Sequence, residues 1–234
     1  MILILLPFVS RAAGEWWEQR LPQLRIILLE YQRGISASIH EYGGILEITL
    51  LWKILVYGWV ASEILIGIVT RTRSSGGKVN DRGSLIVLWV TITLAITAGE
   101  TIRASMAPNM LGGASWIMVV AIIVLIAGIM IRATAILSLG KAFSSNVAIR
   151  ENQTIYREGL YRFVRHPSYT GSLVSFLALG IETRNWTTLI VIVAPIAAAF
   201  LYRIHVEEAA LNEAFGAQYA AYSEQTKRLI PGVY

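Results

Sequence analysis

Apolar residues fall along the chain in long blocks separated by polar stretches, and several blocks have the length of a helix that crosses a bilayer. Ile45 to Thr70 is the first, interrupted by Glu47, Lys53 and Glu63. Leu85 to Arg103 is the second, and Trp116 to Leu137, carrying Arg132, is the third. Tyr169 to Ile181 is a fourth apolar stretch of 13 residues. As a helix it reaches roughly 20 Å, short of a hydrocarbon core of about 30 Å. A polar turn, Glu182-Thr183-Arg184-Asn185, leads into the fifth stretch, Trp186 to Leu201. The last two therefore read as a helical hairpin that stops near the limit for crossing. The pattern predicts an all-α, polytopic integral membrane protein with about five transmembrane helices. Met1 to Val9 is apolar but too short to span, and it lacks the basic start and small-residue cleavage site of a signal peptide. Ser10 to Gly44 mixes Trp16, Trp17 and the run Ile26 to Leu29 with Arg and Glu, as interfacial helices do. The predicted organisation is an interfacial segment 1–44, three spans within 45–138, and a C-terminal core 139–234.

Basic residues set the expected orientation. Arg71, Arg73, Lys78 and Arg82 follow the first span; Lys141, Arg150, Arg157, Arg162 and Arg165 follow the third; Arg203, Lys227 and Arg228 lie in the tail. The alternate side has Arg103 and Arg184. The positive-inside rule places the three basic segments, and the C-terminus, in the cytoplasm. Four arginines before residue 44 argue the other way, matched by Glu15, Glu18, Glu30 and Glu41.

Composition narrows the chemistry. Hydrophobic residues make up 55% and charged residues 15% of the chain, against about 25% charged in an average soluble domain. There is no cysteine, so disulfides and thiolate ligands are excluded. His40, His166 and His205 have no metal-ligand spacing, and no metal is expected. A net charge of +5 in such a chain points to the lipid bilayer, with its anionic head groups, and not to nucleic acid.

The longest polar segment, Ser138 to Ser168, and the tail after Tyr202 flank the hairpin, so they can meet at its base and form one site. Gly159-Leu160-Tyr161-Arg162-Phe163-Val164-Arg165-His166-Pro167-Ser168-Tyr169-Thr170-Gly171 resembles the Arg-His-Pro-x-Tyr-x-Gly signature of the isoprenylcysteine carboxyl methyltransferase superfamily. Asn146-Val147-Ala148-Ile149 is similar to the preceding segment of bacterial members, and Arg203-Ile204-His205-Val206-Glu207-Glu208 to the family's Arg-x-x-x-Glu-Glu. Phe215-Gly216, Tyr219, Tyr222 and Arg228-Leu229-Ile230-Pro231-Gly232-Val233 follow in the family's order. The resemblance covers roughly residues 139 to 234. It implies a five-span helical enzyme with S-adenosylmethionine in a cytoplasmic pocket, and the expected acceptor is lipophilic, of the prenylated kind. The chain has no Gly-x-Gly-x-x-Gly, in keeping with a non-Rossmann cofactor site. One departure stands out: Ser144 and Ser145 occupy the place of a histidine in eukaryotic members.

With that cofactor the residues take candidate roles. Asn146, Leu160, Tyr161, Arg165, His166, Pro167, Tyr169, Gly171 and Glu208 are the expected cofactor-binding set. Glu208 supplies a carboxylate, Arg165 and His166 donors, and Tyr161 and Tyr169 rings. Pro167 suits a first helical turn and leaves His166 extended and exposed at the helix N-terminus. Gly171 lets a ligand or a neighbouring helix approach. Arg203 is suited to gripping an acceptor carboxylate bidentately. Glu207, four residues on and on the same face, is expected to orient Arg203, with Glu208 about 100° further round. Arg203 and Glu207 are the candidate catalytic pair.

Blander readings stand beside these. Arg203 and Glu207 also fit a helix-stabilising ion pair. Tyr219 and Tyr222 fit packing or interfacial anchors, and His205 either structure or pocket lining. Arg132 should face the bundle or snorkel, and Glu63 and Glu100 are expected to be solvated. Trp16, Trp17, Trp116 and Trp186 fit an aromatic belt. Alternative functions are a phospholipid or small-amine N-methyltransferase, a sterol-type NADPH reductase, and a transporter or scaffold. Against a transporter, no inverted repeat is evident.

Overall fold

A computed structural model describes residues 47–70, 78–79, 81, 83–105, 116–140, 143–144, 148–149 and 154–234. The chain divides into two compact units, Met1–Leu50 and Leu51–Tyr234, and nearly all the described residues belong to the second. The expected interfacial helices of residues 1–44 lie outside the described residues.

Among the described residues, four helices are long and apolar enough to cross a membrane: α1 (Glu47–Val69), α2 (Ser84–Ser105), α3 (Trp116–Leu139) and α5 (Trp186–Phe215). Between the last two comes α4 (Pro167–Glu182, 16 residues), and α6 (Ala217–Gln225) closes the helical order. The shorter α4 and longer α5 form the expected hairpin. The first four predicted blocks match their helices to within a few residues. The fifth does not end at Leu201: α5 runs 30 residues, to Phe215. Its last turns hold Glu207, Glu208, Ala209, Ala210, Leu211 and Glu213, all good helix formers, so the helix outlasts the apolar run.

The outward faces of the helices have the character lipid requires. Ile68 and Ile86 are 71% and 70% exposed, and Leu94 and Met130 are similarly bare. On α2, Thr93, Thr97 and Thr101 face outward, and each donates its hydroxyl to the carbonyl four residues back at 2.8–2.9 Å. No polar group of that stripe is left for hydrocarbon to meet.

Packing inside the unit relies on small residues. α3 lies against α4, α2 against α5, and α4 against α5. A Cβ on Gly171 would lie 2.6 Å from the Arg132 amide nitrogen and 2.7 Å from the Gly128 carbonyl oxygen. The two glycines let the helix backbones touch, as small-residue contacts do in membranes. Leu125, Ile196, Ile204, Phe176 and Phe200 fill the interior. Trp59 of α1 meets Phe176 of α4 edge-on, with centroids 5.1 Å apart.

Two polar ends result. At one, Arg103 of α2 lies 4.0 Å from Glu182 of α4, and Asn185 caps α5 by accepting from the Thr187 and Thr188 amides. At the other, the α1–α2 and α3–α4 connections join through a two-residue antiparallel pair, β1 (Lys78–Val79) with β2 (Ala148–Ile149). The tail is stitched to the segment before α4. The Arg165 and His166 amides donate to the Lys227 and Arg228 carbonyls at 2.8 and 3.0 Å, and Thr170 Oγ1 donates to the Leu229 carbonyl at 2.8 Å. Loop and tail thus meet at the hairpin base.

Candidate functional site

Pro167 is the first residue of α4, where its missing N–H leaves no helical bond unmade. His166 precedes it at φ −124°, ψ 55°, a conformation that is not the extended one expected. Nor is His166 exposed: the tail covers it, leaving 4% accessible. Its ring stacks on Tyr169, 5.6 Å between centroids and 9° between planes, and its Nε2 lies 3.3 Å from Glu208 Oε1.

The neighbouring glutamates of α5 part company. Glu208 is 8% exposed and ringed by cations. Arg165 Nε donates to its Oε1 at 2.9 Å, and Arg228 Nε and Nη2 both reach its Oε2 at 2.9 Å. The same Arg165 donates to the carbonyls of Ser223 and Thr226. Arg165 and Glu208 therefore form a staple between loop, α5 and tail. The Arg228 guanidinium is raised above its usual range, first by its hydrogen bond to Glu208.

Glu207 turns to the other side. Its side chain is 30% exposed, its Oε2 accepts from the Tyr169 hydroxyl at 2.6 Å, and His166 Nδ1 lies 3.9 Å away. Tyr169 in turn accepts from Arg203 Nε at 3.0 Å. The expected Arg203–Glu207 link is thus carried by the hydroxyl of Tyr169. Arg203 is 2% exposed, and its Nη1 donates to Asp81 Oδ1 and Ser84 Oγ, both at 3.0 Å. Asp81 is a member of the site that the sequence motifs do not single out. Its one signal in the sequence is an acid in an otherwise basic loop, just before an apolar run, where helix caps occur.

The other candidates have structural places. Tyr161 is buried; its hydroxyl donates to the Ala135 carbonyl at 3.3 Å, and its own carbonyl accepts from Tyr222 at 2.7 Å. Burial pushes the Tyr222 hydroxyl up to about 12, so it stays a donor. Leu160 accepts the Phe163 and Val164 amides in the turn before α4. Gly171 admits α3 and not a ligand. His205 is exposed, and Asn146 lies outside the described residues. Glu63 is not simply solvated: its carboxylate pairs with the Arg132 guanidinium and accepts from Trp59 Nε1 at 3.2 Å. Arg132 also donates to Ser168 Oγ at 2.8 Å, so it faces the bundle.

Among the described residues two buried hydroxyls have no hydrogen-bond partner, Thr188 near the start of α5 and Tyr219 in α6. The Tyr219 hydroxyl has no hydrogen-bond partner among the described residues, although the ring is 2% exposed. Burial first, and then the charge of Glu208, push that hydroxyl above its usual range, so it remains a proton donor. An unmet buried hydroxyl costs about 1–3 kcal/mol, which a ligand acceptor would recover.

These features define a multi-pass helical membrane protein with a half-open ionic site at one end of the bundle. The family model described as the isoprenylcysteine carboxyl methyltransferase (ICMT) family matches residues 120–213. The chain is 32% identical over 120 residues to protein-S-isoprenylcysteine O-methyltransferase A of Arabidopsis thaliana, covering 50% of this chain and 61% of that protein. It is 31% identical over 103 residues to the protein-S-isoprenylcysteine O-methyltransferase of Schizosaccharomyces pombe, covering 43% and 44%. It also resembles a solved structure of the eukaryotic intramembrane Ras methyltransferase ICMT, with TM-score 0.52 and 28% identity over 60% of this chain and 52% of that one. The chain thus spans about half of the relatives it matches.

Proposed function

We propose that this protein is a membrane methyltransferase that uses S-adenosylmethionine to methylate the carboxylate of a lipophilic, isoprenylcysteine-type acceptor. The observation that carries the reading is the joining of His166, Tyr169, Arg203 and Glu207, all inside the matched family segment, into one contact chain beside a half-open carboxylate.

The residues present fit the cofactor, with one exchange of roles. Glu207, and not Glu208, is the carboxylate with acceptor capacity to spare for an ammonium or ribose hydroxyl. The partly exposed Tyr169 ring, backed by His166, offers a flat wall, and the unmet Tyr219 hydroxyl offers a donor. Bound S-adenosylmethionine supplies a methyl group on a positively charged sulfur. The chain's tasks are then to hold the acceptor in line and to exclude water. An acceptor carboxylate arrives ionised, so no residue has to remove a proton. Arg203 grips it, and Tyr169 fixes the Arg203 fork through Nε while tying it to Glu207. Core residues 139–234 carry this machinery, and the spans before them flank a path for the acceptor's apolar tail. The site end faces the cytoplasm, on the strength of the basic residues of both connections and the tail.

Calorimetric titration of the purified protein with S-adenosylhomocysteine, and in parallel with NADPH, tests the proposal. Micromolar S-adenosylhomocysteine binding is expected. Binding of NADPH alone would sink it in favour of a reductase.

A further inference from the structure

The guanidinium that the proposed acceptor would need is already engaged by a carboxylate. Asp81 Oδ1 lies 3.0 Å from Arg203 Nη1, in a pocket that leaves Arg203 2% exposed and Asp81 16%. Asp81 comes from the α1–α2 connection and Arg203 from α5, far apart in sequence, so no local helix geometry forces the contact. Asp81 also has a second occupation. It caps α2: its carbonyl accepts the Ser84 amide at 2.8 Å, its Oδ1 accepts from Ser84 Oγ at 3.0 Å, and its Oδ2 accepts the Leu85 amide at 3.2 Å. The bond from the Ser84 amide holds the Asp81 backbone whether or not its Oδ1 faces Arg203.

A buried arginine with no counter-ion is expensive. A protein that must receive an anionic head group in such a place needs a stand-in for the anion until the acceptor arrives. We infer that Asp81 is a resident carboxylate, occupying on Arg203 the position that the acceptor carboxylate takes, and that it yields this contact when the acceptor enters. The inference rests on the carboxylate-acceptor reading above and adds a specificity device to it. A neutral head group, whether an ester product or an amide, cannot supply the charge that Asp81 sets against the guanidinium. An ionised carboxylate can, because it restores the pair. Exchange of one carboxylate for another keeps the buried charge balanced at both stages. It also disfavours retention of the methylated product, whose neutral ester loses the contest for Arg203 to Asp81.

The test compares N-acetyl-S-farnesylcysteine with its methyl ester, both in lipid nanodiscs containing saturating S-adenosylhomocysteine. Equilibrium affinities are measured for wild type, Asp81→Asn and Asp81→Ser. Asn and Ser are good caps, so both preserve the start of α2 while removing the charge. The acid should bind about tenfold tighter or more to both Asp81 variants, with the ester unchanged, because no resident charge competes. A readout on the wild-type protein does not depend on how the variants fold: carbodiimide labelling of Asp81, followed by mass spectrometry, should rise with the acid and not with the ester. Equal or weaker acid binding in both Asp81 variants, or labelling that the acid does not raise, overturns the inference and leaves Asp81 as a positioning residue for Arg203. Failure of either compound to bind any of the proteins, with S-adenosylhomocysteine still bound, removes the prenylcysteine acceptor itself and the inference with it.

Discussion

Adjacent glutamates illustrate how much a single residue's direction decides. Glu207 and Glu208 have the same side chain, on consecutive positions of one helix, yet one faces a half-open space and the other faces two guanidinium groups and the His166 ring. Glu207→Gln should weaken S-adenosylhomocysteine binding about 10–100-fold, the loss of one hydrogen bond to a charged group, while the thermal midpoint stays put. Glu208→Gln should do the reverse to stability: removing the negative member of a buried cluster costs about 3–5 kcal/mol, visible as an earlier unfolding transition in detergent. If both substitutions shift binding alone, the division of roles is wrong. Tyr169→Phe removes the hydroxyl joining Arg203 to Glu207 and should lower turnover on the order of 10²-fold with the cofactor still bound. The motifs make these residues legible as a group but not as individuals. Two neighbours on a helix differ by about 100° in direction, and nothing in Arg203 to Glu208 says which direction the tail will cover. Arg228, which decides the matter for Glu208, is 20 residues away. The burial of His166 escapes the sequence for the same reason: Pro167 indicates a helix start but gives no sign that residues 227–229 lie over it.

At the level of elements, the spans are readable because lipid imposes both length and apolarity on a crossing helix. The ties between spans are not. Glu63 and Arg132 are 69 residues apart, and only packing of α1 on α3 reveals them as a pair. Their energetics follow from burial. Glu63→Leu and Arg132→Met should each destabilise the protein more than the two together, since a single change strands a charge and the double change strands none. Thermal midpoints of the three variants form the cycle that checks this. The α3–α4 contact is as exacting. Gly171→Ala puts a methyl group against backbone atoms of Arg132 and Gly128, which have no rotamer to move to. Overpacking of that kind costs about 1–3 kcal/mol, and because α4 begins beside His166, the shift should also lower cofactor affinity. An unchanged midpoint for Gly171→Ala would mean that the helices part without penalty.

Across the whole membrane unit, contacts at its two ends agree on the path of the chain. Arg103 meets Glu182 at one end, and Asp81 meets Arg203 at the other. A single cysteine introduced at Arg184 should therefore react with an impermeant maleimide from the side opposite to one introduced at Val233, and the native chain, lacking cysteine, adds no background. Labelling of both from one side would refute the path. The length of α5 then acquires a physical meaning. From Trp186, 53% exposed at the helix start, to Arg203 the axis rises about 26 Å, close to the roughly 30 Å of a hydrocarbon core. With the indole held at one interface, the helix works as a ruler that sets the guanidinium at the level of the opposite one. A thicker bilayer draws that end of the ruler into oil, and a thinner one lifts it clear, so the membrane's own thickness sets how the ionic site meets the interface.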